Sequence, residues 1–121
     1  MESDILIDFL KGVEGARAVL ERAADEGVIR LSAVSAAQVI ARASRKNREP
    51  AIKLLESFNI VPVDKGVASR AGLYFPDGRR DKFDLCDCLV AATCEQLAAV
   101  LVTKDRSRYP SGPFEVLLAD Y

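Results

Sequence analysis

The segment "VIRLS" at 28–32 stands between two stretches of helical periodicity, "NIVPV" at 59–63 and "AAVLVT" at 98–103 repeat the arrangement, and "FEVLLAD" at 114–120 closes the chain. Short apolar strands separated by helices reach one another through crossover connections, which makes neighbouring strands parallel and lays helices over the sheet faces. The pattern predicts an α/β sandwich around a mostly parallel central sheet. With 121 residues and no repeat or linker, one core and one domain over 1–121 are expected.

The helices are read from their periodicity. Ile5, Leu6, Phe9 and Leu10 predict a first helix from Asp4, with Ser3 or Asp4 as its N-cap. A second spans about 16–25 and ends at Gly27. "AVSAAQVIARASRK" predicts a third, with Val34, Ala37 and Ile40 inward and a basic far end, and "PAIKLLESF" a fourth. Val67, Ala68, Ala71 and Leu73 mark a fifth, "FPDGRRDK" is a loop, and "DLCDCLVAAT" opens a sixth with two aspartates in its first turn.

Composition narrows the chemistry. Histidine is absent, which removes Ser-His-Asp and Cys-His catalysis, the histidine general base and nearly every catalytic zinc site. Cys86, Cys88 and Cys94 are odd in number, match no zinc spacing and suit buried thiols in a reducing compartment. A net charge of −1 supplies no global pull toward nucleic acid or membrane. The acidic start "MESDILIDFLKG" and the lack of a long apolar run lead to the expectation of a cytoplasmic protein without a membrane span.

Carboxylates are then the main chemical resource. In a doubly wound α/β fold the ligand site lies beyond the carboxyl ends of the strands. Glu2 precedes the first helix, Asp105 follows the strand "VLVT", and Asp87 sits in the helix before that strand, so the three are expected to converge. Convergent acids repel one another unless a cation is present, and Mg2+ or Mn2+ takes such hard oxygen ligands. A divalent ion acidifies water and stabilises charge on phosphate, which is a route to phosphodiester hydrolysis without histidine.

"SDILIDFLKG", "DLCDCLVAATCEQLAAVLVTKDRSRYP" and the closing "FEVLLADY" resemble the PIN domain family, and within it the VapC-type ribonuclease toxins. The strongest piece is D-x-L-x-A-A-T, a strand, then Thr-x-Asp: Asp87 to Thr93, then Thr103 to Asp105. The resemblance implies a three-layer α/β/α sandwich. It also implies an endoribonuclease using Mg2+ or Mn2+ on structured RNA, tRNA among the candidates, held by a cognate antitoxin and often dimeric. Asp87 and Asp105 correspond to two of the family's metal-binding acids, Asp84 to an acid one turn earlier, and Thr103 to a hydroxyl that holds a ligand or water.

Two departures stand out. Where the family has Asp-Thr-Asn or Asp-Thr-Asp, this chain reads Glu2-Ser3-Asp4, and most of the hydrophobic strand before that acid is missing. Glu2 carries its carboxylate about one methylene, on the order of 1.5 Å, farther out. Where the family has Ala-Glu, this chain reads Ala37-Gln38, which keeps a carbonyl oxygen and loses a charge. Glu2 is the expected third ligand, Gln38 an attenuated fourth, and Asp4 a substitute. The strand position calls for a partner, a neighbouring segment, a sheet rebuilt around a shortened edge, or an earlier start codon.

Other readings compete. Asp84 as N-cap with Asp87 at the third helical position approximates a capping box, and Asp105 suits a turn. Arg42, Arg45 and Lys46, with Arg79 and Arg80 in the charged loop, are expected to hold RNA phosphates, although basic residues also serve as solvated faces. Loss of charge at Gln38 motivates a second functional expectation, an inactive PIN-like module that binds or oligomerises.

Overall fold

A computed structural model describes residues 1–75 and 83–121. Helix α1 (Ser3–Leu10) turns through Gly12, whose φ of +83° is left-handed and favours glycine, into α2 (Glu14–Glu26). Strand β1 (Arg30–Ser32) runs without a loop into α3 (Ala33–Arg42), because the Ser32 hydroxyl accepts from the Val34 N–H at 3.1 Å and caps the helix. Helix α4 (Arg48–Leu55) leads to β2 (Asn59–Val61), and Asp64 caps α5 (Lys65–Gly72).

Asp84 caps α6 (Leu85–Leu97) by accepting from the Cys86 N–H at 2.7 Å. The helix ends on Ala98 in the left-handed conformation, φ 51°. Strand β3 (Leu101–Thr103) passes through a single 3-10 turn (Arg106–Arg108) before β4 (Val116–Leu118). Among the described residues no helix is long and apolar enough to cross a membrane.

Strands β1 and β2 pair in parallel with Leu31 opposite Ile60, and β3 and β4 in parallel with Val102 opposite Leu117. The first two residues stand between these pairs. The terminal ammonium of Met1 donates to the Arg30 carbonyl at 3.4 Å, and the Glu2 N–H to the Val102 carbonyl at 2.9 Å. The place of the shortened strand is therefore held by Met1 and Glu2. Behind Met1 the two pairs leave a cleft of about 420 Å3, walled by Val19, Ala23, Ile29, Val90, Leu97 and Val102.

A central core gathers Ile5, Leu6, Leu31, Val39 and Val102 from α1, the inner strands and α3. A second cluster joins α5 to α6 through Val67, Ala71, Cys88 and Ala92. The apolar layers fix which helical faces point inward and which carboxylates are left at the strand ends.

Four sequence expectations are corrected here. The first helix begins at Ser3, with Glu2 at the N-cap and no side-chain cap, since the Ser3 hydroxyl donates instead to Gln38 Oε1 at 3.0 Å. The third helix stops at Arg42, because Ala43 is extended and the N–H of Asn47 turns back onto Ser44. Arg45 and Lys46 thus lie in a turn. The buried face of α3 carries Ser35 and Val39, with Val34 and Ile40 flanking and Ala37 exposed. In α5, likewise, Val67 and Ala71 are buried, whereas Ala68 and Leu73 are exposed.

Candidate active site

Glu2 is 2% exposed, a carboxylate placed at the inner end of the core by its backbone bond to β3. A buried carboxylate must be hydrogen-bonded or paired, and this one is both. Its Oε2 accepts from the hydroxyls of Thr103 and of Tyr109, the latter at 3.1 Å, and its Oε1 from Arg108 Nη1 at 3.3 Å. The same Nη1 donates to Asp4 Oδ2 at 2.5 Å, while Nη2 donates to Asp87 Oδ1 at 3.2 Å. Asp4 also accepts from Arg42.

Three carboxylates from α1, α6 and the chain start thus meet one guanidinium. Asp87 occupies the third position of α6 and is buried, but its carboxylate is directed at Arg108, while Asp84 at the N-cap is exposed and closes the helix end. Asp105 caps the 3-10 turn, accepting from the Ser107 N–H at 3.0 Å and the Ser107 hydroxyl at 2.6 Å. It lies outside the Arg108 cluster yet lines the same open cleft of about 560 Å3 as Glu2, Asp4, Arg42, Lys104 and Arg108. Thr103 ties the two parts together, because its hydroxyl donates to Glu2 and accepts from the Asp105 N–H at 3.1 Å.

Gln38 is half-buried and touches the site through Ser3 alone among its hydrogen bonds described here. Arg42 reaches the cleft edge, and Arg45 and Lys46 are exposed beside it in sequence. Arg79 and Arg80 lie outside the described residues.

The electrostatics follow the burial. Desolvation pushes the Glu2 and Asp87 carboxyls above their usual range, with Arg108 opposing in each case. For Asp4 the effect of burial is outweighed by its neighbours, Arg42 and Arg108 among them, so its carboxyl lies below the usual range. Asp105, exposed, is lowered by its bonds to Ser107. Burial works against the charge of Arg108, but Asp87 and Glu2 more than offset it. Burial, and then the charge of Glu2, hold the Tyr109 phenol firmly protonated.

The donor set is all oxygen and rich in carboxylate, which suits a hard divalent ion. As arranged, no three acids or thiols among the described residues stand close enough to share one ion. The Arg108 guanidinium bridges these carboxylates instead, with Glu2 and Asp4 on Nη1 and Asp87 on Nη2. Arg108 and Tyr109 are the site residues that sequence reasoning missed. Both lie in "TKDRSRYP", where a strand end beside an acid was the available signal.

Comparison with known proteins places the chain in a family. The PIN domain family model matches residues 2–109. Ribonuclease VapC10 of two Mycobacterium tuberculosis strains is 34% identical over 112 residues, covering 91% of this chain and 84% of that protein. A solved toxin-antitoxin complex from Klebsiella pneumoniae contains a chain that superposes with a TM-score of 0.79 at 23% identity, over 98% of this chain and 95% of that one. A structure of FitAB bound to an IR36 DNA fragment gives a TM-score of 0.75 at 19% identity, over 98% and 92%. These two share the fold. With the family match spanning most of its length and a VapC relative above 30% identity, this chain belongs to the PIN domain family, as a VapC-type member.

Proposed function

We propose that this chain is the endoribonuclease toxin of a VapBC-type toxin-antitoxin pair, hydrolysing phosphodiester bonds of structured RNA with Mg2+ or Mn2+. The observation that carries the reading is the gathering of Glu2, Asp4 and Asp87 around the Arg108 guanidinium at the strand ends. The relative named as a ribonuclease and the solved toxin-antitoxin complex support it. Glu2, Asp87 and Asp4 are the residues that would hold the ion, with Asp105 at the cleft mouth; when bound, the ion supplies an acidified water and charge stabilisation at phosphate.

The chain's own residues prepare the rest. Thr103 and Tyr109 fix the Glu2 carboxylate by hydrogen bonds, which spares the site reorganisation when substrate arrives. Arg42 and Lys104 line the cleft, and Arg45 and Lys46, exposed in the turn that follows Arg42, add positive charge suited to RNA phosphates. Arg79 and Arg80 belong to the same reading through the sequence alone. An antitoxin and a second copy of the chain are the protein partners it implies, and the cytoplasm is the compartment.

The test is cleavage of a purified tRNA pool by the purified chain. Defined fragments with Mg2+ or Mn2+, abolished by EDTA and by Asp87→Asn, are expected. A folded wild type that leaves every structured RNA intact in both metals contradicts the proposal.

A further inference from the structure

Among the described residues, Arg108 alone bonds three carboxylates, two from the start of the chain and one from α6. Its guanidinium cannot leave by losing a proton, because a group of this kind stays charged in proteins. The side chain is 34% exposed, so the route out of the cluster is open to solvent on one side. The backbone of Arg108 is held by the 3-10 turn that Asp105 caps, which leaves the side chain as the part free to move. For these carboxylates to close on a divalent ion the guanidinium between them must move aside, because two like charges cannot share that space.

We propose that Arg108 is a resident counter-cation that competes with the divalent ion for Glu2, Asp4 and Asp87, an inference that rests on the metal-dependent ribonuclease reading. Without the ion, Arg108 neutralises acids that burial would otherwise penalise and keeps the chain folded. Ion binding displaces the guanidinium toward the cleft mouth beside Arg42 and Lys104, where it joins the positive edge facing RNA. The price of a metal-free folded state is a weaker metal site.

The test is calorimetric titration of the full chain with Mn2+, comparing wild type, Arg108→Gln and Arg106→Gln. Arg106 donates to the Tyr109 carbonyl at 3.0 Å and to no carboxylate of the cluster, so its loss controls for net charge. Arg108→Gln is expected to bind Mn2+ about tenfold more tightly, and Arg106→Gln within about twofold of wild type. Equal affinity in wild type and Arg108→Gln, or an equal gain in Arg106→Gln, overturns the competition while leaving the ribonuclease reading standing. Absence of Mn2+ binding in all three removes both.

A second measurement covers the case in which Arg108→Gln fails to fold. In wild-type protein with 15N-labelled arginine, the Arg108 Nε–H resonance should shift in step with Mg2+ occupancy while that of Arg17, paired with Glu21 on the surface, stays fixed. A stationary Arg108 resonance at saturating Mg2+ overturns the inference.

Discussion

The hydroxyl of Thr103 donates to the carboxylate of Glu2, joining the last residue of β3 to the second residue of the chain. Both side chains are buried, and the bond continues through the Thr103 hydroxyl to the backbone of Asp105. One hydroxyl thus orients a candidate metal ligand and the turn carrying another acid. Substituting Thr103→Val keeps the shape and removes the donor, leaving Glu2 Oε2 with Tyr109 alone. A loss of about 1–3 kcal/mol in denaturant unfolding is expected. A stability unchanged from wild type would show that the bond is energetically idle.

Gln38 offers the Ser3 hydroxyl an amide oxygen, and a carboxylate would accept the same bond. Gln38→Glu should therefore fold normally while adding a negative charge at Ser3, the residue between Glu2 and Asp4. Mn2+ affinity is expected to rise roughly five- to tenfold, with RNA cleavage rising in parallel. Unaltered affinity in a folded variant would place position 38 outside the ion's reach.

Asp8 accepts from Lys104 Nζ at 2.8 Å and from the Tyr121 hydroxyl at 2.7 Å, tying α1 to the residue after β3 and to the last residue of the chain. Burial is the largest single influence and raises its carboxyl, but these two bonds and the charge of Lys104 together outweigh it and the net shift is downward. A depressed folded value means stability that is complete above the unfolded value near about 3.9 and is lost as pH falls through the folded one. The pair is partly solvated, so the stability difference between wild type and Asp8→Asn should be at most about 1 kcal/mol at neutral pH and shrink toward zero in strong acid. Urea titrations across that range would refute the linkage if the difference stayed constant.

Ala98 ends α6 at φ 51° and ψ 39°, a left-handed cap that costs any residue with a Cβ. Ala98→Gly removes that cost at an exposed helix end while loosening the unfolded chain. The first effect exceeds the second at a left-handed position, and a gain of about 0.5–1 kcal/mol is expected from thermal or chemical unfolding. Destabilisation would mean that the Ala98 methyl contributes packing that outweighs its backbone strain.

Much of this was legible in the sequence for identifiable reasons. The alternation of "VIRLS", "NIVPV" and "AAVLVT" with helical stretches carries the parallel α/β fold, and Asp84 before an apolar run announces the cap of α6. Periodicity could not locate the end of α3, because "ASRK" contains no breaker and the stop depends on Ser44 forming a turn with Asn47. Nor could it phase that helix, which is capped by Ser32, packs on α1 and α6, and buries Ser35 and Val39. Arg108 escaped because its role depends on three carboxylates distant in sequence, and an arginine in a basic turn has no local signature of such a contact.

The most direct test of the metal-dependent site is Mn2+ binding followed by electron paramagnetic resonance, with Asp87→Asn and Glu2→Gln beside the wild type. It needs no knowledge of the RNA. Saturable binding by the wild type, weakened by at least about a hundredfold in Asp87→Asn and clearly reduced in Glu2→Gln, is the expected result. Folded wild-type protein that leaves millimolar Mn2+ free, or binding that both variants retain, would contradict a metal centre built on these carboxylates.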